Sequence, residues 1–144
     1  MATWLLKSEA GAWSWDQQVA RGKAGEPWSG VRNHQAANFM KEMKAGDLAF
    51  FYHSGDEKRI VGIVRVVKEY HPDPTDETGR FGMVHVVAAK AVPRPVSLAA
   101  IKADPSLADL LLVRHTRLSV MPIPEPAWKT ILAMGGLAPK DLSA

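Results

Sequence analysis

Two segments rich in β-branched residues, 60–68 and 83–92, follow one another along the chain with no helical pattern between them. The region that separates them, residues 71–82, contains two prolines, three acidic residues and two glycines, which predicts an exposed loop. Parallel neighbours in a sheet need a long crossover connection, usually a helix, whereas antiparallel neighbours do not. This order therefore favours a mixed or mostly antiparallel sheet over a doubly wound parallel one.

Three further strands and four short helices are predicted around these two segments. The strands cover residues 3–7, 47–53 and 118–121, and the first three helices begin after the N-cap residues Ser14, Asn33 and Ser97. The second helix has the clearest apolar stripe, made by Ala36, Phe39, Met40 and Met43. The fourth helix begins near Pro126 and buries Trp128. Short strands with helices at the rim predict an α+β fold built on a curled sheet or a small barrel.

The length and composition predict one globular domain. The chain has 144 residues, of which 47% are hydrophobic and 23% charged, both ordinary for a globular protein. We expect the domain to cover residues 1–136, because Gly135-Gly136 ends the last helix, and residues 137–144 to form a C-terminal tail. No long exposed apolar helix calls for a dimer, so a monomer is expected.

The absence of cysteine excludes disulfides, a thiol nucleophile and cysteine zinc sites. No apolar run approaches the roughly 18 residues that a membrane helix needs. Residues 1–7 also lack the basic start and the long apolar stretch of a signal peptide. We therefore expect no membrane partner and a cytoplasmic location.

The sequence contains no recognisable catalytic or metal-binding motif. The five histidines, His34, His53, His71, His85 and His115, form no i,i+4 pair and no HExxH pattern. The GxSxG elbow and the glycine-rich phosphate loops are absent as well. We expect no catalytic residue, no metal and no cofactor.

Residues 28–33 form the first candidate site, in and just after a predicted loop at residues 21–30. They combine an indole, a glycine that allows close backbone approach, a guanidinium and an amide beside a helix N-terminus, which suits a flat polar or anionic ligand. Pro27, Ser29 and Gly30 give Trp28 no apolar periodicity, so we expect Trp28 to lie outside the core. In the alternative, Trp28 fills the core and Arg32 forms a salt bridge.

Two more polar clusters follow predicted strands, Lys7-Ser8-Glu9 and Phe51-Tyr52-His53-Ser54. Each could be an ordinary strand terminus or part of a site at the sheet edge. The 18 basic and 15 acidic residues give a net charge of +3, which allows a small nucleic-acid footprint but no long basic track.

Seven short pieces of the sequence carry a family resemblance: Trp4-Leu5-Leu6-Lys7-Ser8-Glu9, Trp28-Ser29-Gly30-Val31-Arg32-Asn33-His34-Gln35-Ala36-Ala37-Asn38-Phe39, Gly46-Asp47-Leu48, Phe51-Tyr52-His53-Ser54, Ile60-Val61-Gly62, Pro93-Arg94-Pro95-Val96 and Arg117-Leu118-Ser119-Val120. Through them the chain resembles the EVE domain family, whose members have a PUA-like fold. These pieces run in family order from residue 3 to about residue 134. The chain departs from the pattern at Ser29, where the family often has Asp, and at His34, where Tyr is frequent.

The resemblance implies a strongly curved, mixed five- to six-stranded sheet, a pseudo-barrel, with about four short helices around it. EVE domains are similar to YTH and ASCH domains and are thought to bind modified bases in DNA or RNA. Some members are fused to restriction-type nucleases. The resemblance therefore implies a reader of a modified base, acting alone or with a separate effector protein.

We expect the base to leave its stack and enter a pocket between the Trp28 loop and the ends of the strands near Lys7 and Tyr52. Trp28 would stack on the base, and Tyr52 or Phe51 would close the other side, since strand alternation lets only one of them face the pocket. The expected base-binding residues are Trp28, Asn33, Ser8, Tyr52, His53, Ser54 and Gln35, and the expected phosphate-binding residues are Lys7, Arg32 and Arg117.

Two other functions stay open on the same residues. One is binding of a small molecule or nucleotide in the same pocket. The other is an ASCH-like hydrolase of nucleic acids or nucleosides, in which Lys7, Tyr52 and Glu9 would do acid–base work.

Overall fold

The computed structural model describes residues 2–142, and its centre is a six-stranded sheet. The strands are β1 (Thr3–Glu9), β2 (Glu26–Pro27), β3 (Leu48–Ser54), β4 (Arg59–Pro72), β5 (Gly82–Ser97) and β6 (Val120–Pro122). Their order is β2-β5-β4-β3-β1-β6, in which β1 and β3 are parallel and every other neighbouring pair is antiparallel. The predicted α+β fold on a mixed sheet is confirmed, but β2 and β6 are free edges, so the sheet does not close into a barrel.

The two consecutive β-branched segments form the longest strands, β4 with 14 residues and β5 with 16. Their pairing shifts register at four points, beginning between Ile60 and Gly62. Such irregularities bend a strand and increase its twist, which lets a long ribbon curve around a core. The sequence pattern predicted both strands but underestimated their length, because pairing continues through the charged residues that follow the apolar runs.

Five α-helices flank the sheet: α1 (Trp15–Ala20), α2 (His34–Glu42), α3 (Leu98–Ala103), α4 (Leu111–Arg114) and α5 (Glu125–Met134). The three predicted N-caps are confirmed. Ser14 and Gln17 form a reciprocal capping box, and the side chains of Asn33 and Ser97 accept hydrogen bonds from the N–H groups of Ala36 and Ala100. The helix missed by the sequence pattern is α4, whose four residues are too few to show a period.

The predicted loop at residues 21–30 contains more structure than expected. Gly22–Ala24 form a 3₁₀ turn, and β2 pairs Glu26 with Val86 and Pro27 with His85 of β5. A strand of two residues has no side-chain alternation, so no sequence pattern could reveal it. This short bridge positions residues 28–33, the segment that leads to the start of α2.

The core lies between the sheet and the helices, with Trp128 of α5 stacked on Phe50 of β3 at a ring-centroid distance of 4.0 Å. The described part of the expected tail also contacts this core. Leu137 is buried, Pro139–Leu142 form a 3₁₀ turn, and the carbonyl of Leu142 accepts a hydrogen bond from Arg65 Nη2 at 3.2 Å. The domain boundary at residue 136 stays a prediction, and residues 143 and 144 lie outside the described chain.

None of the helices described within residues 2–142 has the length and apolar character needed to span a bilayer.

Candidate functional site

A cavity of about 390 Å³ opens where the end of β1 meets the loop between β2 and α2. Its walls combine two indole rings with hydroxyl groups and charged side chains, and we call it the tryptophan cavity. It is lined by Lys7, Ser8, Ala12, Trp13, Glu26, Pro27, Trp28, Ser29, Gly30, Val31, Arg32 and Ser119.

Trp28 lines this cavity but is itself buried, with 7% of its surface exposed. Its N–H donates to the carbonyl of Val84 at 2.7 Å, and its ring packs edge-on against Phe51 at a centroid distance of 5.6 Å. The prediction that Trp28 lies outside the core is therefore wrong. The short bridge between β2 and β5 turns this single residue inward, and burial of that kind leaves no periodic pattern. Only a small part of the Trp28 side chain faces the cavity.

Trp13 is the second aromatic wall, and it is not among the site residues predicted from the sequence. The half-buried ring donates its Nε1–H to Gln18 Oε1 at 2.9 Å, and the fully buried Gln18 side chain donates in turn to the carbonyl of Val86 at 3.2 Å. Ser8 Oγ donates to the Trp13 carbonyl at 2.8 Å. Trp13 is thus held at its indole nitrogen and at its backbone. In the sequence, only the position of Trp13 directly before the N-cap Ser14 pointed to a fixed place for this side chain.

Asp73, from the loop between β4 and β5, holds the Trp28–Arg32 segment in place. Its side chain is fully buried and accepts hydrogen bonds from Gly30 N at 2.9 Å and from Thr75 N at 2.8 Å, together with one from the Thr75 hydroxyl. Burial alone would raise the pKa of the Asp73 carboxyl, but the hydrogen bonds from Thr75, Gly30 and Arg32 outweigh it and lower the pKa to about 2. The composition of residues 71–82 predicts an exposed loop, and that prediction is wrong at Asp73, whose side chain is a buried anchor.

Arg32 forms the salt bridge that the alternative interpretation described. Its Nη1 lies 3.2 Å from Asp73 Oδ2, its Nη2 donates to Thr75 Oγ1 at 2.9 Å, and its guanidinium lies 5.8 Å from the Phe81 ring centroid. Arg32 still lines the tryptophan cavity, but its charge is balanced by a buried carboxylate. This reduces the attraction that it offers to a phosphate.

Neither Phe51 nor Tyr52 closes the far side of the tryptophan cavity. Phe51 is fully buried against Trp28, while Tyr52 lies beside Lys7, whose Nζ is 5.5 Å from the Tyr52 ring centroid. The expected alternation along β3 holds, but Trp13 supplies the second wall.

Lys7 lies between two cavities. Its ammonium group donates to the Thr116 carbonyl at 3.0 Å, and burial lowers the pKa of Lys7 and raises the pKa of Tyr52. Besides the tryptophan cavity, Lys7 lines a cavity of about 170 Å³ that we call the basic pocket. The basic pocket is formed by Lys7, Tyr52, Ser54, Gly55, Lys58, Leu98, Lys102, Leu112 and Thr116.

Three predicted site residues, Asn33, Gln35 and Arg117, meet at a third cavity of about 310 Å³, which we call the Arg117 groove. His115, Thr116 and Leu118 complete its lining. The side-chain oxygen of Asn33 is engaged by the Ala36 N–H at 2.9 Å, so Asn33 has a capping role in addition to any contact with a ligand. Nine of the ten predicted residues thus divide among three neighbouring cavities instead of forming one pocket, and the tenth, His53, lines none of the three.

His53 does not line any of these three cavities. Its Nε2 accepts a hydrogen bond from the Trp15 N–H at 3.0 Å, so its proton lies on Nδ1, which is 2.9 Å from Glu57 Oε1. Nε2 therefore joins the end of β3 to α1 and Nδ1 joins it to the turn before β4, so His53 has a structural role. Within residues 2–142 no group of three His, Asp or Glu side chains is placed to hold a metal ion.

Comparison with known proteins agrees with this architecture. The EVE domain model matches residues 2–134. A crystal structure of a protein from Agrobacterium tumefaciens is 46% identical, with a TM-score of 0.95, and the match covers 100% of this chain and 99% of that one. Human thymocyte nuclear protein 1 is 30% identical over 91% of this chain and 72% of its own length.

A structure of the human protein in complex with DNA containing 5-methylcytosine has a TM-score of 0.88 and covers 96% of this chain and 100% of that one. A YTH domain from Zygosaccharomyces rouxii, solved with N6-methyladenosine RNA, is 17% identical over 95% of this chain and 88% of its own, with a TM-score of 0.57, and so shares the fold. The extent of the family match and the identity to the human relative show that the chain belongs to the EVE domain family.

Proposed function

We propose that this protein binds a modified base of DNA or RNA in the tryptophan cavity. The observation that carries the proposal is the pairing of two indole walls, Trp13 and Trp28, with polar groups in one cavity of about 390 Å³. This volume falls in the range of pockets that take small organic ligands. Aromatic side chains supply stacking energy for any base, and the polar groups around them discriminate between bases.

Several polar groups at this cavity are available to read the edge of a base. The hydroxyls of Ser29 and Ser119 make no hydrogen bond to another residue of the described chain. The Glu26 carboxylate pairs with Arg21 Nε through Oε1 at 3.3 Å, and its Oε2 can accept from an exocyclic amino group such as that of cytosine. The Ser8 hydroxyl donates to the Trp13 carbonyl, so toward a ligand it acts as an acceptor.

The energetics favour single-stranded or already unpaired sites. Extruding a base from a duplex costs a few kcal/mol, and stacking on an aromatic side chain returns roughly 1–3 kcal/mol per base. These two quantities nearly cancel, so the polar contacts decide whether a duplex site is occupied. The human relative solved with DNA containing 5-methylcytosine supports the choice of ligand class, because it shares the fold over nearly the whole of this chain.

The test is a titration of matched oligonucleotides, single- and double-stranded DNA and RNA, that differ only in one modified base, starting with 5-methylcytosine against cytosine. We expect tighter binding of a modified strand. Trp13→Ala should weaken that binding by about 1–3 kcal/mol, roughly fivefold to more than a hundredfold, while Trp13→Phe keeps much of it. Val67→Ala, at an exposed residue of β4 that lines none of the three cavities, is the control.

Equal affinity for every modified and unmodified strand would contradict the proposal. Tight binding of a free nucleoside or nucleotide, with no gain from a longer strand, would instead favour the small-molecule function.

One observation favours the hydrolase as a second candidate. Lys7 has a lowered pKa beside Tyr52, and a lysine of that kind can act as a base. Glu9, the third residue of that hypothesis, is exposed at the end of β1. Incubation with modified nucleosides and labelled RNA distinguishes a hydrolase from a binding module. Turnover that Lys7→Ala abolishes would establish an enzyme, and binding without turnover would support the binding module.

The cytoplasmic location, the monomeric state and a separate effector protein stay predictions. Gel filtration of the purified protein tests the monomeric state. Affinity capture with a modified oligonucleotide as bait tests for the effector protein.

A further inference from the structure

The basic pocket carries positive charge that the proposed base site does not use. Lys58 and Lys102 converge there with Lys7, next to the hydroxyls of Tyr52 and Ser54. Among the described residues that line the pocket, none is acidic. Glu57, which adjoins Lys58 in the sequence, is already engaged by His53 and Arg59. A small cavity with three cations, hydroxyl donors and no acid favours an anionic group.

The backbone at Lys58 has a fixed conformation in the turn between β3 and β4. Its φ is +48°, a left-handed conformation that non-glycine residues rarely adopt, and the Leu98 N–H holds it by donating to the Lys58 carbonyl at 2.8 Å. Glycine or asparagine would adopt this conformation at a lower conformational cost. This conformation belongs to the turn between β3 and β4, and it places Lys58 in the lining of the basic pocket.

Lys7 connects the two sites. Its one described side-chain hydrogen bond goes to the Thr116 carbonyl at 3.0 Å, which leaves two of its three N–H donors free. Because Lys7 lines both cavities, a group bound in the basic pocket lies one side chain away from a ligand in the tryptophan cavity.

We propose that the basic pocket binds a backbone phosphate adjacent to the nucleotide whose base enters the tryptophan cavity. The proposal rests on the proposed function. The basic pocket has less than half the volume of the tryptophan cavity, about 170 Å³ against 390 Å³, which suits a phosphoryl group better than a base. A free nucleotide carries the same phosphoryl chemistry, so the experiment must separate the two sources.

The first measurement is the salt dependence of binding to a short single-stranded oligonucleotide that contains 5-methylcytosine. The double variant Lys58→Gln/Lys102→Gln is compared with the control Lys90→Gln/Lys140→Gln, which removes the same charge at exposed lysines that line none of the three cavities. Loss of one phosphate contact should make the slope of log K against log salt shallower by about 0.7 and leave base preference unchanged. The control should keep the wild-type slope. Equal slope changes in both variants would overturn the proposal.

The second measurement compares 5-methylcytidine, its 5′- and 3′-monophosphates and the oligonucleotide. The nucleoside should bind wild type and both double variants equally, and the phosphate should add affinity only where Lys58 and Lys102 are intact. If the monophosphate gains as much as the oligonucleotide, the ligand is a free nucleotide, and the backbone assignment is overturned.

Failure of the base site and failure of the phosphate pocket give different results. If wild type binds modified and unmodified strands equally, the base proposal fails, and the slope comparison still decides the phosphate pocket. If wild type binds no strand, both proposals fail. Should the Gln variants unfold, Lys58→Gly/Lys102→Ala removes both charges, relieves the positive φ at Lys58, and should give the same shallower slope.

Discussion

At the scale of single residues, Trp28 shows how a residue that lines a cavity can belong to the core at the same time. The residue is 93% buried against partners that include Phe51, yet its remaining surface faces the tryptophan cavity. We expect Trp28→Ala to lower the free energy of unfolding by about 3–5 kcal/mol, the range for removal of a core tryptophan. Urea unfolding measures this. Trp28→Phe keeps much of the buried area and is the variant in which binding can be measured.

The two Trp28 variants separate packing from ligand contact. Trp28→Phe should retain most of the affinity for a modified base, because a smaller π-face remains. A Trp28→Ala protein whose stability falls by less than about 1 kcal/mol would contradict core packing, since a loss that small approaches the roughly 0.5 kcal/mol typical of surface substitutions.

At the scale of elements, the segment from Trp28 to Arg32 is held by a residue from a different loop. Asp73 has a pKa of about 2 in the folded protein, below the roughly 3.9 of an unfolded aspartate. Its depressed pKa therefore contributes stability that is fully present above pH 4 and is lost as the pH falls towards 2. Asp73→Asn should be less stable at neutral pH by about 1–3 kcal/mol, because buried donors such as Gly30 N lose a charged acceptor. The difference in free energy of unfolding between Asp73→Asn and wild type should narrow as the pH falls from 4 to 2.

Urea unfolding at a series of pH values measures this gap. Asp109→Asn is the control, because that carboxylate is 89% exposed and forms only a surface pair with Arg114. A gap for Asp73→Asn that is the same at pH 7 and pH 2.5 would mean that the Asp73 charge does not hold the segment.

At the scale of the whole molecule, the net charge of +3 limits how many phosphates the protein can contact. Asp73 balances Arg32, which leaves the basic pocket and Arg117 as the main candidates. Two or three contacts on a single strand predict a slope of log K against log salt of about −1.4 to −2.1, at about −0.7 per contact. Binding titrations between low and moderate NaCl measure it. A slope steeper than about −5 would require an extended basic surface and would contradict this footprint.

The local elements of the fold were predictable from the sequence because local interactions determine them. The caps at Ser14, Asn33 and Ser97, the apolar stripe of α2 and the β-branched runs of β4 and β5 each act within a few residues of chain, so the pattern and the structure agree. The mixed character of the sheet followed from the order of these elements. The motifs also identified the family, since their order along the chain is itself a property of the sequence.

The arrangement of the site was decided by tertiary structure. The burial of Trp28 depends on a two-residue bridge to β5, the orientation of Trp13 on the buried Gln18, and the position of the loop on Asp73, 43 residues beyond Gly30. The same long-range packing directed His53 into a structural role and brought Lys7, Lys58 and Lys102 together at one cavity. A sequence shows which donors, charges and rings a chain contains. Contacts between distant segments determine which of these groups come together. Forming such contacts costs chain entropy, and that cost is offset only when the whole core forms.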